Sequence, residues 1–229
     1  MPRYHTVLFD ADNTLFDFDR AERHALQRAL EERGYPFTPE VEERYLSINR
    51  ALWHQFDLGQ VTQEFLLVER FRRFEEAMGG SHDPVRFNRD YLTYLGEGAF
   101  LLPGAEELCR ELAPHCTLAI ITNGATIAQK GRFARSAVRD CFSYLFISQE
   151  LGCRKPEKAF FDKVFAAMGL TDLRDAVVVG DNLLSDIQGG INAGVDTIWY
   201  NPDGAVCPDP VRPTYTASDF SAIRSLILG

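Results

Sequence analysis

Long apolar runs are absent from this sequence. No stretch approaches the roughly 20 apolar residues that a membrane-spanning helix needs, and the run Val7-Leu8-Phe9 is far too short for the core of a secretory signal. Positive charge is scarce: 24 Lys and Arg stand against 33 Asp and Glu, for a formal net charge of -9, with no basic cluster. A non-specific nucleic-acid binder needs a basic surface, so that class is excluded. Cysteine is sparse as well. Cys109, Cys116, Cys141, Cys153 and Cys207 are odd in number and form no C-x-x-C pair, which fits reduced thiols and speaks against a disulfide framework or zinc site. No G-x-G-x-x-G follows the first apolar run, which argues against a dinucleotide-binding protein. Internal repeats and low-complexity segments are missing too. The expectation is a cytoplasmic globular protein with neither nucleic-acid polymer nor membrane as partner.

What is present fits a chain of 229 residues that is 45% hydrophobic, enough for one sizeable core or a core plus a smaller domain. The organising stretch is Val7-Leu8-Phe9-Asp10-Ala11-Asp12-Asn13-Thr14-Leu15. Its three leading apolar residues suit a strand buried on both faces of a parallel sheet. Asp10 and Asp12 then emerge at the carboxyl end of that strand, where open α/β sheets bind ligands. Two residues apart in extended chain, they share one side. The structural alternative is an Asx-turn at Asp12-Asn13, with Asp10 merely ending the strand.

A helical pattern begins near Asp17 or Asp19, either of which can cap it, and runs through Ala21, Ala25, Leu26, Ala29 and Leu30 to Gly34. Thr38-Pro39-Glu40 opens a second helix, Thr62 a third that reaches Gly79-Gly80, and a fourth spans about Pro84 to Leu95. A crossover between parallel strands normally needs one helix, so four in succession predict a separate all-α module at residues 17–98. The remainder, 1–16 with 99–229, then forms an α/β core. From Leu101 strand and helix alternate: strands at Leu118–Ile121, Tyr144–Ser148, Ala176–Val179 and Thr197–Tyr200, helices after Pro103-Gly104, up to Arg135, from Pro156 to Met168, from Ile187 to Ala193 and from Ser218 to Leu228. Such alternation predicts a parallel sheet with helices on both faces. Pro202 to Pro213 reads as a surface loop.

Polar residues then gather at the strand ends: Asp10 and Asp12, Thr122 and Asn123, Asp181 followed by Asp186, with Lys155 at the start of a helix. Together they offer a carboxylate nucleophile, a second carboxyl for acid and base work, a hydroxyl, an amide, a fixed cation and further acids for a hard metal. Mg²⁺ favours oxygen ligands and keeps several waters. Phosphoryl transfer needs these parts and little else. Singly, each residue has a plain structural reading. Thr122-Asn123-Gly124 is a natural strand-to-helix turn, Lys155 reads as solvated, and Asp181 and Asp186 could cap a helix. Convergence at one sheet edge favours function, because a chance cluster of acids would be uncompensated.

In register along these strands stand Asp10-Ala11-Asp12-Asn13-Thr14, Ile121-Thr122-Asn123-Gly124, Lys155-Pro156 and Gly180-Asp181-Asn182-Leu183-Leu184-Ser185-Asp186. With these four motifs the chain closely resembles the haloacid dehalogenase superfamily, over essentially its whole length. The resemblance implies a Rossmann-like α/β core with an inserted helical-bundle cap in the C1 position, closing over the site through hinges near Phe16-Asp17 and Gly96 to Gly98. Phe9 to Phe16, Asn182 to Ile187 and Gly189-Gly190-Ile191-Asn192-Ala193-Gly194 look like the bacterial YjjG-type pyrimidine 5′-nucleotidases.

That likeness implies a Mg²⁺-dependent phosphomonoesterase acting on small molecules such as UMP, dUMP or dTMP, as monomer or homodimer. Asp10 would form an aspartyl-phosphate and Asp12 would serve as acid and base. Thr122, the Asn123 backbone and Lys155 would bind the phosphoryl group. The metal would lie on the Asp10 carboxylate, the Asp12 main-chain carbonyl and Asp181, with Asp186 either a ligand through water or a partner of the ligands. A sugar-phosphate phosphatase or phosphomutase is the alternative. A haloacid dehalogenase fits less well, having no need of an acid at Asp12. Leaving-group recognition would fall among cap residues such as Trp53, Phe56, Phe65, Phe71, Phe74, Asn49 or Arg70, although an aromatic stripe at helical spacing is more often core than pocket.

Overall fold

Thr6–Phe9, wholly buried, forms the central strand, β1. The computed structural model describes residues 2–208 and 210–229. In chain order β1 is followed by α1 (Phe18–Glu31), α2 (Pro39–Asp57), α3 (Gln63–Met78), α4 (Pro84–Leu95) and α5 (Ala105–Leu112). Then come β2 (Thr117–Thr122), α6 (Thr126–Arg135), β3 (Tyr144–Ile147), α7 (Ser148–Leu151) and α8 (Lys158–Met168). The chain ends with β4 (Ala176–Gly180), α9 (Gln188–Ala193), β5 (Asp196–Tyr200), β6 (Tyr215–Ala217) and α10 (Phe220–Leu228). The division into two compact units falls at Met1–Phe18 with Ala99–Gly229, and Asp19–Gly98.

In the first unit the strands form one sheet of six in the order β3-β2-β1-β4-β5-β6, every pairing parallel. Side chains alternate across it with the strand period of two. Val7 and Phe9 point with Leu118, Ile120, Val177 and Val179 to the face covered by α5 and α10, where Leu108, Leu112, Ile223 and Ile227 close the layer. Leu8 points with Ala119, Ile121 and Val178 to the other face, against Phe160, Phe161 and Val164 of α8. A strand covered on both sides has no polar face to offer, which is why β1 and β4 read as unbroken apolar runs.

The structure departs from the sequence pattern at several element ends: the strand expected to reach Ser148 stops at Ile147, where α7 begins, and the last helix starts at Phe220 rather than Ser218. The helix expected from Pro156 starts at Lys158, because Arg154 and Glu157 close a turn through a 2.8 Å backbone bond. After the loop 202–213, of which Asp209 lies outside the described residues, three residues add β6 to the edge of the sheet. So short a segment carries no period to read.

The second unit holds α1 to α4, each set by local chemistry. Thr38 and Thr62 accept from the amides of Val41 and Phe65 at 3.4 and 3.3 Å, and Asp83 from that of Val85 at 2.9 Å. Pro39 and Pro84 occupy first turns, where a missing N–H is harmless. Gly79 ends α3 with φ 66°, a left-handed value that a side chain would strain. Inside, Phe71 stacks on Phe87 at 4.2 Å and meets Tyr45 and Tyr91 at 5.4 Å. Phe56, Phe71 and Phe74 are therefore core.

Asn49 and Arg70, considered above as readers of a ligand, are buried here too. Arg70 Nη1 donates to Asn49 Oδ1 (3.2 Å) and Nη2 to Asn88 Oδ1 (2.7 Å), while Asn49 Nδ2 donates to Glu22 Oε1 (2.8 Å). Trp53 is half-buried and Phe65 is exposed. Burial raises the Glu22 carboxyl from 4.5 to about 7, against the pull of Arg70. The folded state thus holds this proton more tightly than the unfolded chain. Its stabilising contribution is complete below about 4.5 and is lost as pH rises through about 7, a swing on the order of 3 kcal/mol. Glu22→Gln keeps the acceptor for Asn49 and removes the titration. Denaturant titrations between about pH 5 and pH 8 are expected to show wild type losing stability relative to Glu22→Gln as pH rises. Parallel curves would place the titration elsewhere.

Candidate active site

Three adjacent strands deliver the polar residues to one edge. Asp10 follows β1, Thr122 closes β2, and Asp181 follows β4. Beyond Asp10 the chain reverses at Asn13, whose φ of 57° is a left-handed value that Asn tolerates better than most residues. Asn13 Oδ1 accepts from the Phe18 amide at 3.1 Å, while the amides of Leu15 and Phe16 both return to the Ala11 carbonyl. Asn13 thus fastens this loop back on itself beside the polar cluster.

The centre of the cluster is Lys155, 1% exposed. An ammonium has three donors, and all three are used: Asp10 Oδ1 at 2.6 Å, Asp186 Oδ1 at 2.7 Å and the Ile121 carbonyl at 2.9 Å. The solvated reading of this lysine fails. Its backbone is fixed by Asn123, whose Oδ1 accepts from the Lys155 amide (3.0 Å) and whose Nδ2 donates to the Lys155 carbonyl (2.9 Å). The Asn123 side chain thus ties two loops together. Thr122 is buried, with its hydroxyl oxygen accepting from the Gly124 amide at 3.0 Å.

Asp186 is fully buried on a single π-helical turn, Leu183–Ile187, which Asn182 caps by accepting from the amides of Leu184 (2.8 Å) and Ser185 (3.1 Å). The second Asp186 oxygen accepts from the Asn182 amide at 3.1 Å. Gly180 makes room for it, since a Cβ there would lie 2.3 Å from Asp186 Oδ2. Asp181 is held by Thr14, whose hydroxyl donates to Oδ1 (3.2 Å) and accepts from its amide (3.1 Å), and by the Trp199 indole on its carbonyl (2.9 Å). Asp12 is drawn to α6, where Gln129 Nε2 donates to Oδ2 at 2.8 Å and Arg132 Nη2 donates to Oδ1.

Electrostatically the cluster is short of positive charge. Burial lifts the Asp10 carboxyl well above its usual range; Lys155 opposes this, and Asp186, Asp181 and Asp12 add to it. Burial and then repulsion from Asp186 push Asp181 up to about 7. Lys155 is disfavoured by burial, but Asp10 and Asp186 more than offset that and raise its pKa. Asp10, Asp181 and Asp186 each place a carboxylate oxygen within 4.8 Å of the others. Three such oxygens suit a hard divalent cation.

Thr14, Gln129, Arg132 and Trp199 were assigned no role from sequence. For Gln129 and Arg132 a signal existed: with Ala125 and Ala128 they fall in the i, i+3, i+4, i+7 register of a buried helix face. Two polar residues in that register require a polar destination.

A family model described as haloacid dehalogenase-like hydrolase matches residues 4–194. The chain belongs to that family. The relatives of this haloacid dehalogenase-like hydrolase include the pyrimidine 5′-nucleotidase PynA of Streptococcus pneumoniae, 36% identical over 213 residues, covering 93% of this chain and 90% of the relative. The pyrimidine 5′-nucleotidase YjjG of Escherichia coli is 34% identical over 225 residues, 98% of each chain. Among solved structures, the HAD-hydrolase YfnB of Bacillus subtilis, bound to magnesium, superposes with a TM-score of 0.93 at 33% identity over 98% of each chain.

Replacing Lys155 by Met leaves Asp10 and Asp186 facing each other without a counter-charge. Urea denaturation is expected to show a loss of about 3–5 kcal/mol, as when one partner of a buried ion pair is removed. An unshifted midpoint would mean that the ammonium contributes nothing to the fold.

Proposed function

We propose that this hydrolase is a Mg²⁺-dependent phosphomonoesterase acting through an aspartyl-phosphate on pyrimidine nucleoside 5′-monophosphates (UMP, dUMP and dTMP). One observation carries the reading: the Asp10 carboxylate stands at the carboxyl end of the central strand, 2.6 Å from a buried ammonium. The two relatives named as pyrimidine 5′-nucleotidases supply the substrate class.

In the first half-reaction the Asp10 carboxylate attacks phosphorus. A P–O bond to Asp10 forms as the bond to the nucleoside 5′ oxygen breaks, and Asp12 gives its proton to the departing oxygen. In the second, water attacks the aspartyl-phosphate, Asp12 takes the water's proton, and inorganic phosphate leaves a free Asp10 carboxylate. Lys155 and the Thr122 hydroxyl, with the main chain of Asn123, meet the charge on the phosphoryl oxygens. The Asp10 and Asp181 carboxylates and the Asp12 main-chain carbonyl would hold Mg²⁺, which when bound neutralises phosphoryl charge. Asp186 is the third carboxylate of that group and keeps Lys155 in place.

No helix among the described residues is long and apolar enough to cross a membrane. The five cysteines are free thiols, which suits a reducing compartment such as the cytoplasm.

A phosphate-release screen over nucleoside monophosphates and sugar phosphates tests the reading. UMP, dUMP and dTMP are expected to be turned over, with activity lost on chelation. Asp10→Asn is expected to lower kcat by about 10⁴-fold or more without altering the circular dichroism spectrum. Preference for sugar phosphates with inert nucleotides would retire the nucleotidase reading. A second measurement addresses the metal. The raised Asp181 pKa means that its contribution to stability is present below the ordinary carboxylate range and is lost as pH rises through about 7. A divalent cation does the proton's work there. MgCl₂ should therefore raise Tm more at about pH 8 than at about pH 6, and an equal rise at both would place the ion elsewhere.

A further inference from the structure

Arg132 is 1% exposed, and Asp12 is its only charged partner among the described residues. Its Nη2 donates to Asp12 Oδ1, while Nε and Nη1 have no hydrogen-bond partner among the described residues. The guanidinium otherwise rests over the rings of Phe16 and Phe18, at 5.4 and 5.6 Å. Among the described residues it donates to no backbone carbonyl. Burying a cation is costly unless it is paired, and here the pairing goes to the one carboxyl assigned to proton transfer.

Gln129 completes the arrangement. It is 3% exposed, lies three residues before Arg132 on the same face of α6, and donates to the other Asp12 oxygen at 2.8 Å. Its side chain runs directly beneath Gly124, where a Cβ would lie 2.0 Å from Gln129 Nε2. The helix that opens after the Thr122–Gly124 loop thus reaches back to both oxygens of Asp12. A carboxylate has about four lone-pair sites. Two fixed donors occupy two of them and leave sites open on the carboxylate for proton exchange.

We propose that Gln129 and Arg132 are positioning residues that hold the Asp12 carboxyl in the orientation from which it protonates the leaving group. The proposal rests on the phosphomonoesterase reading. It concerns the step in which the P–O bond to the departing oxygen breaks and the Asp12 proton moves to that oxygen. A nucleoside 5′ oxygen is a strongly basic leaving group and needs that proton; p-nitrophenolate departs without one. Misplacing Asp12 therefore harms one substrate far more than the other. A purely structural role would reduce both alike, because it changes only the amount of folded enzyme.

The experiment compares kcat/KM, which reports the first half-reaction, for UMP and p-nitrophenyl phosphate in wild type, Arg132→Met, Arg132→Lys and Gln129→Leu. For Arg132→Met we expect a loss of roughly 10²-fold on UMP, carried by kcat with KM little changed, and a loss within about threefold on p-nitrophenyl phosphate. Arg132→Lys, which keeps the charge without the planar fork, is expected to restore part of the UMP activity. Gln129→Leu is expected to show the same selectivity to a smaller extent, and it decides the matter if Arg132→Met does not fold. Equal losses on the two substrates, or none, would overturn the positioning role. Wild-type enzyme that is inert on UMP but active on a sugar phosphate would retire the nucleotidase reading alone, and the comparison would be made with that substrate. Wild-type enzyme inert on every phosphomonoester would remove the reading and the proposal together.

Discussion

A single ammonium buried among acids is the constraint on which the rest of the site depends. Lys155 sits where water cannot solvate it, so its charge is tolerable only because Asp10, Asp186 and the Ile121 carbonyl accept hydrogen bonds from all three of its N–H groups. Those acceptors come from segments far apart in the chain. The sheet must bring them within 2.6 to 2.9 Å of one atom, and the Asn123 side chain must fix the Lys155 backbone to the end of β2. Several small requirements follow. Gly180 has to be glycine so that Asp186 fits, and Asn182 has to turn the chain so that Asp186 points inward.

The topology explains why these groups meet at β1. Its two neighbours are β2 and β4, from which the sheet continues outward to β3 on one side and to β5 and β6 on the other. Connections leaving in opposite directions open a crevice at the carboxyl ends of the strands. Asp10, Thr122 and Asp181 lie at the ends of the three strands around it. The cluster remains short of positive charge, with Asp10 and Asp181 both holding protons more tightly than ordinary carboxylates. Such an arrangement is poor as structure, because like charges held together out of water repel, and it leaves the carboxylates of Asp10, Asp181 and Asp186 suited to a hard cation.

Much of the α/β architecture was legible because it follows from periodicity. Val7 to Phe9 and Ala176 to Val179 are apolar runs too short for helices, and α1 carries Ala21, Ala25 and Ala29 at helical spacing. β6 was not legible: three residues against an edge strand owe their conformation to pairing with β5 rather than to their own pattern. Among the site residues, the acids could be read because strand ends placed them. The burial of Lys155 could not, since nothing local distinguishes a lysine enclosed by distant carboxylates from a solvated one. Asn123 was expected to meet the ligand through its backbone; that the fold uses its side chain as a tie between two loops was not legible. Gln129 and Arg132 were visible as polar intruders on a buried helical face, though nothing in the sequence says that their destination is Asp12.

Each unit contains a polar network, and the two networks share no residue. In the helical unit, Glu22, Asn49, Arg70 and Asn88 satisfy one another beside stacked aromatic rings. Their bonds are used up internally, so Asn49 and Arg70 have nothing left to read a ligand with, and Phe56, Phe71 and Phe74 offer no free face for stacking. In the α/β unit the network is open by comparison. Asp181 titrates near neutrality, and Asp12 is 27% exposed at its side chain while its two partners are sealed away. A network that is fully satisfied gives rigidity, whereas one that keeps acceptor capacity and unbalanced charge can bind and transfer protons. By that physical criterion the chemistry belongs to the sheet edge, and the aromatic interior of the helical unit serves to hold its four helices together.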